Sequence, residues 1–145
     1  MTQKGPAKPK ILIIEDDEFM TRILTREFAI SGLTNYTIVT REKDVMSEFK
    51  RFAPNIIVLD ILLPDKSGFE ALKEVRKMKS GKKIPVFILT NYNNPHYRRL
   101  AKMLGVQEYL IKSNTLVSDL IKKIKEITSN RTALPQSKPA PSKKK

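Results

Sequence analysis

Apolar residues recur along the chain in two alternating patterns. Short unbroken runs, Lys10 to Ile14, Tyr36 to Thr40, Ile56 to Leu59, Ile84 to Thr90 and Val106 to Ile111, are rich in isoleucine, valine and other strand formers. Each is bounded by polar, proline or glycine residues, as buried strands are. Between them the spacing widens to three and four, the period of an amphipathic helix. The first helix carries Phe19, Met20, Ile23, Leu24, Glu27 and Phe28, with Asp17 as its predicted N-cap and Gly32 past its end. The second carries Val45, Met46, Phe49 and Phe52 and is stopped by Pro54. The third carries Phe69, Leu72, Val75 and Met78 before Ser80-Gly81. The fourth starts at Asn93-Asn94-Pro95, buries Leu100, Met103 and Leu104, and ends at Gly105. The fifth runs from about Thr115 to Ile127, with Leu116, Leu120, Ile121, Ile124 and Ile127 on one side. Phe19, Phe49 and Phe69 read as core. Five strands alternating with five helices predict an α/β fold, a doubly wound, open, five-stranded parallel sheet covered on both faces.

With 145 residues and 40% hydrophobic content the chain supports one core. It has no cysteine, which excludes disulfides and thiolate metal sites and suits a cytoplasmic protein. No apolar run approaches the roughly 20 residues of a membrane helix, and no secretory signal is evident. Net charge is +13. Seven of those charges lie in residues 1–9 (Lys4, Lys8) and 130–145 (Arg131, Lys138, Lys143, Lys144, Lys145), which contain no acid. The Lys, Pro and Ser composition of these tails predicts disorder around an ordered domain spanning 10–129. Such tails invite weak, non-specific contact with nucleic acid or an anionic surface.

In a parallel sheet, ligand chemistry belongs at the carboxyl ends of the strands. The residues found there are Glu15 and Asp16 after the first strand, Asp60 after the third, Thr90 after the fourth and Lys112 after the fifth. With the first and third strands adjacent, three carboxylates converge and need a counter-cation. A hard divalent ion with oxygen ligands, Mg²⁺, answers that need, and Lys112 adds a fixed positive charge. The set suggests phosphoryl transfer to Asp60, an ionised carboxylate that needs no base. His96, the only histidine, reads as a surface residue at a helix start. A glycosidase pair would need an acid of raised pKa in a sugar cleft. A haloacid-dehalogenase-type phosphatase needs an Asp-x-Asp at the first strand, which Glu15-Asp16-Asp17 does not supply.

Four segments carry a family resemblance: Ile11 to Asp17, Asp60 to Gly68, Leu89-Thr90, and Gly105 to Lys112. In order and spacing the chain resembles the receiver domain of bacterial two-component response regulators, of the stand-alone, chemotaxis-regulator-like type. That resemblance implies a flavodoxin-like fold with strand order 2-1-3-4-5. It implies phosphorylation of Asp60 by a sensor histidine kinase or phosphotransfer protein. Mg²⁺ would be held by Glu15, Asp16, Asp60 and the backbone carbonyl of Leu62, and Thr90 and Tyr109 would be the switch pair. On phosphorylation the hydroxyl moves toward the phosphoryl group, the ring turns inward, and the face of helix four, strand five and helix five is remodelled. With 16 residues after helix five, the expected output is a protein contact, a relay or self-association, the chain being a monomer or a phosphorylation-dependent homodimer. The rival reading is a constitutive binding module with a vestigial site and basic tails. Three features depart from the family pattern. Ser113 stands where proline in a cis peptide is usual, and a cis bond before serine costs about 3 kcal/mol or more. Asn91 stands where a smaller residue is usual. Leu62 and Tyr92 occupy positions that in this family flank the path of the hydrolytic water, and an apolar and a bulky residue there are expected to lengthen the life of the phosphorylated state.

Overall fold

A computed structural model describes residues 8–129. The residues expected to form basic tails lie outside that range, apart from Lys8 and Pro9. Strands β1 (Ile11–Ile14), β2 (Tyr36–Val39), β3 (Ile56–Leu59), β4 (Val86–Thr90) and β5 (Glu108–Ile111) alternate with helices α1 (Glu18–Ile30), α2 (Val45–Phe52), α3 (Gly68–Lys77), α4 (Pro95–Met103) and α5 (Val117–Ser129). All strand pairs are parallel, in the order β2-β1-β3-β4-β5. The three central strands are buried throughout, while the edge strands β2 and β5 are only partly covered.

Because side chains alternate across a strand, each strand feeds two cores. Leu12, Ile14, Ile57, Leu59, Val86 and Ile88 pack with Phe49, Phe69, Leu72 and Ala101 of α2, α3 and α4. Ile11, Ile13, Ile56, Val58, Phe87 and Leu89 pack with Leu24, Phe28, Leu120, Ile121 and Ile124 of α1 and α5. Two helices on one face and three on the other leave the chain to reverse direction between β1 and β3, where a crevice opens above the strand ends.

Local signals account for the helix starts. Asp17 Oδ1 accepts the Phe19 N–H, Ser67 Oγ accepts the Phe69 N–H, and Asn94 Oδ1 accepts the Tyr97 N–H with Pro95 in the first turn. Three side chains read as core are instead exposed. Phe19 is 70% exposed, because it sits in the first turn of α1 above the end of the sheet, with no strand beneath it. Leu116, 68% exposed, precedes α5, and its carbonyl accepts the Asp119 and Leu120 N–H groups. Met103, 81% exposed, lies off the stripe of Tyr97, Ala101 and Leu104 that faces the sheet. Met78 caps α3 in an extended conformation, and a 3-10 turn over Lys79–Gly81 follows.

Candidate functional site

Parallel register assembles the site. Ile14 lies beside Leu59, the Asp60 N–H donates to the Ile14 carbonyl at 2.9 Å, and Glu15 and Asp60 therefore leave the sheet side by side. One carboxylate oxygen from each of Glu15, Asp16 and Asp60 falls within 4.8 Å of the others. Glu15 and Asp60 are buried and Asp16 is exposed. Leu59 is level with Ile88, and Thr90 with Ile111, so β4 and β5 bring Thr90 and Lys112 to the same edge.

Lys112 bridges the two buried acids, its Nζ lying 2.8 Å from Asp60 Oδ2 and 3.0 Å from Glu15 Oε1. The Leu62 N–H donates to Asp60 Oδ1 at 3.0 Å, and the Asp17 N–H to Glu15 Oε2 at 3.1 Å. Burial pushes the Glu15 carboxyl up; Lys112 pulls it back, Asp60 adds to the rise, and the balance stands at about 7. Burial disfavours the Lys112 ammonium, but its hydrogen bonds to Asp60 and Glu15 outweigh that and raise its pKa. Three converging carboxylates with one bridging cation make a concentrated negative site, and an all-oxygen donor set of this kind suits a hard divalent ion.

Thr90 is fully buried at the end of β4, and its Oγ1 accepts the Tyr92 N–H at 3.3 Å. The Tyr109 hydroxyl donates to the Tyr92 carbonyl at 2.6 Å, and the Arg98 guanidinium lies 4.8 Å over the Tyr109 ring. One peptide segment at Tyr92 thus touches both residues expected to switch. Leu62 and Tyr92 are half-exposed and, with Ile61, Leu63, Ser67 and Tyr97, line a pocket between the loops that follow β3 and β4. His96 is exposed on α4, as expected of a surface residue.

Two links at this edge were not anticipated from sequence. Asp65 carboxylate oxygens accept the N–H groups of Glu42 and Lys43, tying the loop after β3 to the one after β2. Asn91 Oδ1 accepts the Ser113 N–H at 3.2 Å, joining the loop after β4 to the one after β5. Two of the departures from the family pattern, Asn91 and Ser113, therefore meet one another. The described residues contain no cis peptide, so Lys112-Ser113 is trans, and Lys112 still reaches Asp60. The signal for the Asn91 link was the pair of polar residues at neighbouring strand ends; nothing local marks them as partners.

The family model of the response regulator receiver domain matches residues 11–125. The chain belongs to that family, whose members serve two-component systems. Among solved structures it is similar to the phosphorylated cyanobacterial phytochrome response regulator RcpA, with a TM-score of 0.76, 28% identity, and coverage of 90% of this chain and 100% of that one. It is also similar to the Mn²⁺-bound form of the response regulator Rcp1, with a TM-score of 0.66, 29% identity, and coverage of 82% and 91%. Among curated relatives, a 14.6 kDa protein encoded in the sodA1 3' region of Leptolyngbya boryana is 31% identical over 73% of this chain and 80% of its own length. A probable transcriptional regulator, ycf27, of Porphyridium aerugineum is 28% identical over 90% of this chain. The chain spans only 55% of that regulator's length.

Proposed function

We propose that Asp60 is the phosphoacceptor of a response-regulator switch acting in the cytoplasm. The observation that carries this reading is the arrangement around its carboxylate: Lys112 on Oδ2, the Leu62 N–H on Oδ1, and two further acids within 4.8 Å. An Asp60 oxygen attacks phosphorus, forming an O–P bond while the bond from phosphorus to the donor breaks and the donor leaves with its electron pair. A sensor histidine kinase or phosphotransfer protein is the donor. Glu15, Asp16, Asp60 and the Leu62 carbonyl would hold Mg²⁺, which when bound offsets negative charge on the phosphoryl oxygens. Lys112 neutralises the acceptor and then the acyl phosphate. The Thr90 hydroxyl turns from the Tyr92 N–H toward the new oxygens, the Tyr109 hydroxyl leaves the Tyr92 carbonyl, and an output protein reads the changed face of α4, β5 and α5.

Incubation with acetyl phosphate and Mg²⁺ tests this. The expected result is a mass increase of one phosphoryl group that requires the metal and is lost in Asp60→Asn. No adduct at any acetyl phosphate concentration would leave the constitutive binding module as the better reading.

A further inference from the structure

Between Val75 and Gln107 the sequence holds eight bases, Arg76, Lys77, Lys79, Lys82, Lys83, Arg98, Arg99 and Lys102, and no acid. Helices α3 and α4 run back from the phosphoacceptor edge, so their ends lie at the opposite pole of the sheet. Three of the bases are already engaged. Lys77 pairs with Glu74 at 3.2 Å, and Arg98 is held by Asn93 and the Tyr109 ring. The Arg76 guanidinium donates to four carbonyls: Leu104 at 2.8 Å, Ile84 at 2.7 Å, Gly81 at 3.0 Å and Gly105 at 3.1 Å. That fork knits the Lys79–Lys83 segment to the end of α4. Lys79, Lys82, Lys83 and Lys102, with Arg99 one turn before Lys102, are consequently presented together on a backbone that one side chain holds from both sides. All five are exposed, and none is paired with an acid among the described residues.

We propose that this basic pole, Lys79, Lys82, Lys83, Arg99 and Lys102, is a docking surface for the phosphate backbone of duplex nucleic acid, read without regard to sequence. The acids that border this segment, Glu74 and Glu108, are already matched by Lys77 and Lys123, and the unpaired bases left over suit a polyanion whose charges repeat every few ångströms. A protein partner fits less well, because lysine is depleted at protein interfaces, whose anchors are aromatic or apolar, and the only exposed large apolar side chain here is Met103. An anionic bilayer would likewise favour an apolar face to insert beside the charges. The acids of the phosphoacceptor edge lie at the far end of the strands, so the two sites do not overlap. The inference does not rest on phosphorylation of Asp60, since binding is measured on the unmodified chain.

The test is fluorescence anisotropy of the full chain with a short fluorescein-labelled DNA duplex, in two unrelated sequences and at rising KCl. The two duplexes are expected to bind alike. The variant Lys79→Gln, Lys82→Gln, Lys83→Gln, Lys102→Gln is expected to bind at least tenfold more weakly, with the slope of log affinity against log salt shallower by about 3 to 4. A second variant, with Lys4, Lys8, Arg131, Lys138, Lys143, Lys144 and Lys145 changed to Gln, retains the contribution of the pole. Circular dichroism and adduct formation with acetyl phosphate report whether each variant is folded. Should the fourfold variant not fold, Lys83→Gln and Lys102→Gln singly are each expected to lower the slope by about 1. Unchanged duplex binding in the pole variants overturns the proposal. So does binding abolished by the tail substitutions alone, and so does binding to phosphatidylglycerol vesicles without binding to the duplex.

Discussion

At the scale of single residues, Glu15 has an unusual position: a buried carboxyl that shares one lysine with Asp60. Its pKa of about 7 exceeds the 4.5 of an exposed glutamate, chiefly through burial. The unfolded chain therefore releases this proton first. From pH 4.5 upward the folded state binds more protons than the unfolded state, and metal-free stability contributed by this group falls until the pH passes about 7. Thermal midpoints with a chelator should accordingly drop between pH 5 and pH 8, whereas Mg²⁺ should raise the midpoint most at pH 8, where Glu15 is ionised and ready to bind it. A chelated Glu15→Gln protein should lose that part of the slope. Leu62 and Tyr92 permit a second expectation. Both line one pocket, the Leu62 N–H lies on Asp60 Oδ1 at 3.0 Å, and an apolar and an aromatic wall leave an attacking water few hydrogen-bond partners. The phosphorylated state should be long-lived, and Leu62→Asn with Tyr92→Ala should shorten its half-life several-fold, as followed by loss of the mass adduct. A half-life of seconds in the parent protein would refute this.

At the scale of elements, the loops above the sheet are held by backbone closeness and by a few polar side chains. Gly68 opens α3 where a Cβ would lie 2.5 Å from the Asp60 carbonyl and 2.9 Å from the Ile61 Cα. Both obstacles are backbone, so Gly68→Ala should cost about 2 kcal/mol or more, measured by urea unfolding, and displace the Asp60 loop. Removing the Asn91 amide should act differently. Asn91→Ala loses one exposed hydrogen bond, worth about 1 kcal/mol or less, yet it frees the segment that carries Lys112. Adduct formation should slow by more than the loss in stability accounts for. The helix and strand periods were readable along the chain, because they reflect which side chains face a core one turn or one residue away. The exposure of Phe19, Leu116 and Met103 was not readable from the same periods. Each lies at a helix end or off the buried stripe, where burial depends on whether another element passes over it.

At the scale of the whole molecule, Arg76 joins α3, the start of β4 and the end of α4 through four carbonyls. Burial lowers its pKa, and no acid among the described residues pairs with it, so the guanidinium fork is matched by peptide dipoles and the C-terminal end of α4. Arg76→Lys keeps the charge but not the fork, and should lose about 2 to 3 kcal/mol in urea unfolding while leaving the Asp60 adduct intact. From the sequence, Arg76 was one base among many; the fold makes it the link between α3, the Lys79–Lys83 segment and the end of α4. By itself the sequence determined the order of strands and helices, the cap at Asp17, the start of the fourth helix within Asn93-Asn94-Pro95, the parallel class of the sheet, and the chemistry offered at each strand end. Those are local properties, set by side-chain period, backbone preference and functional group. The tertiary structure decided that Lys112 lies 2.8 Å from Asp60 with a trans peptide after it, that Asn91 meets Ser113, and that Glu15 holds its proton to about pH 7. These depend on groups distant along the chain being brought within a few ångströms and out of water, and only the packed sheet creates that distance and that dielectric.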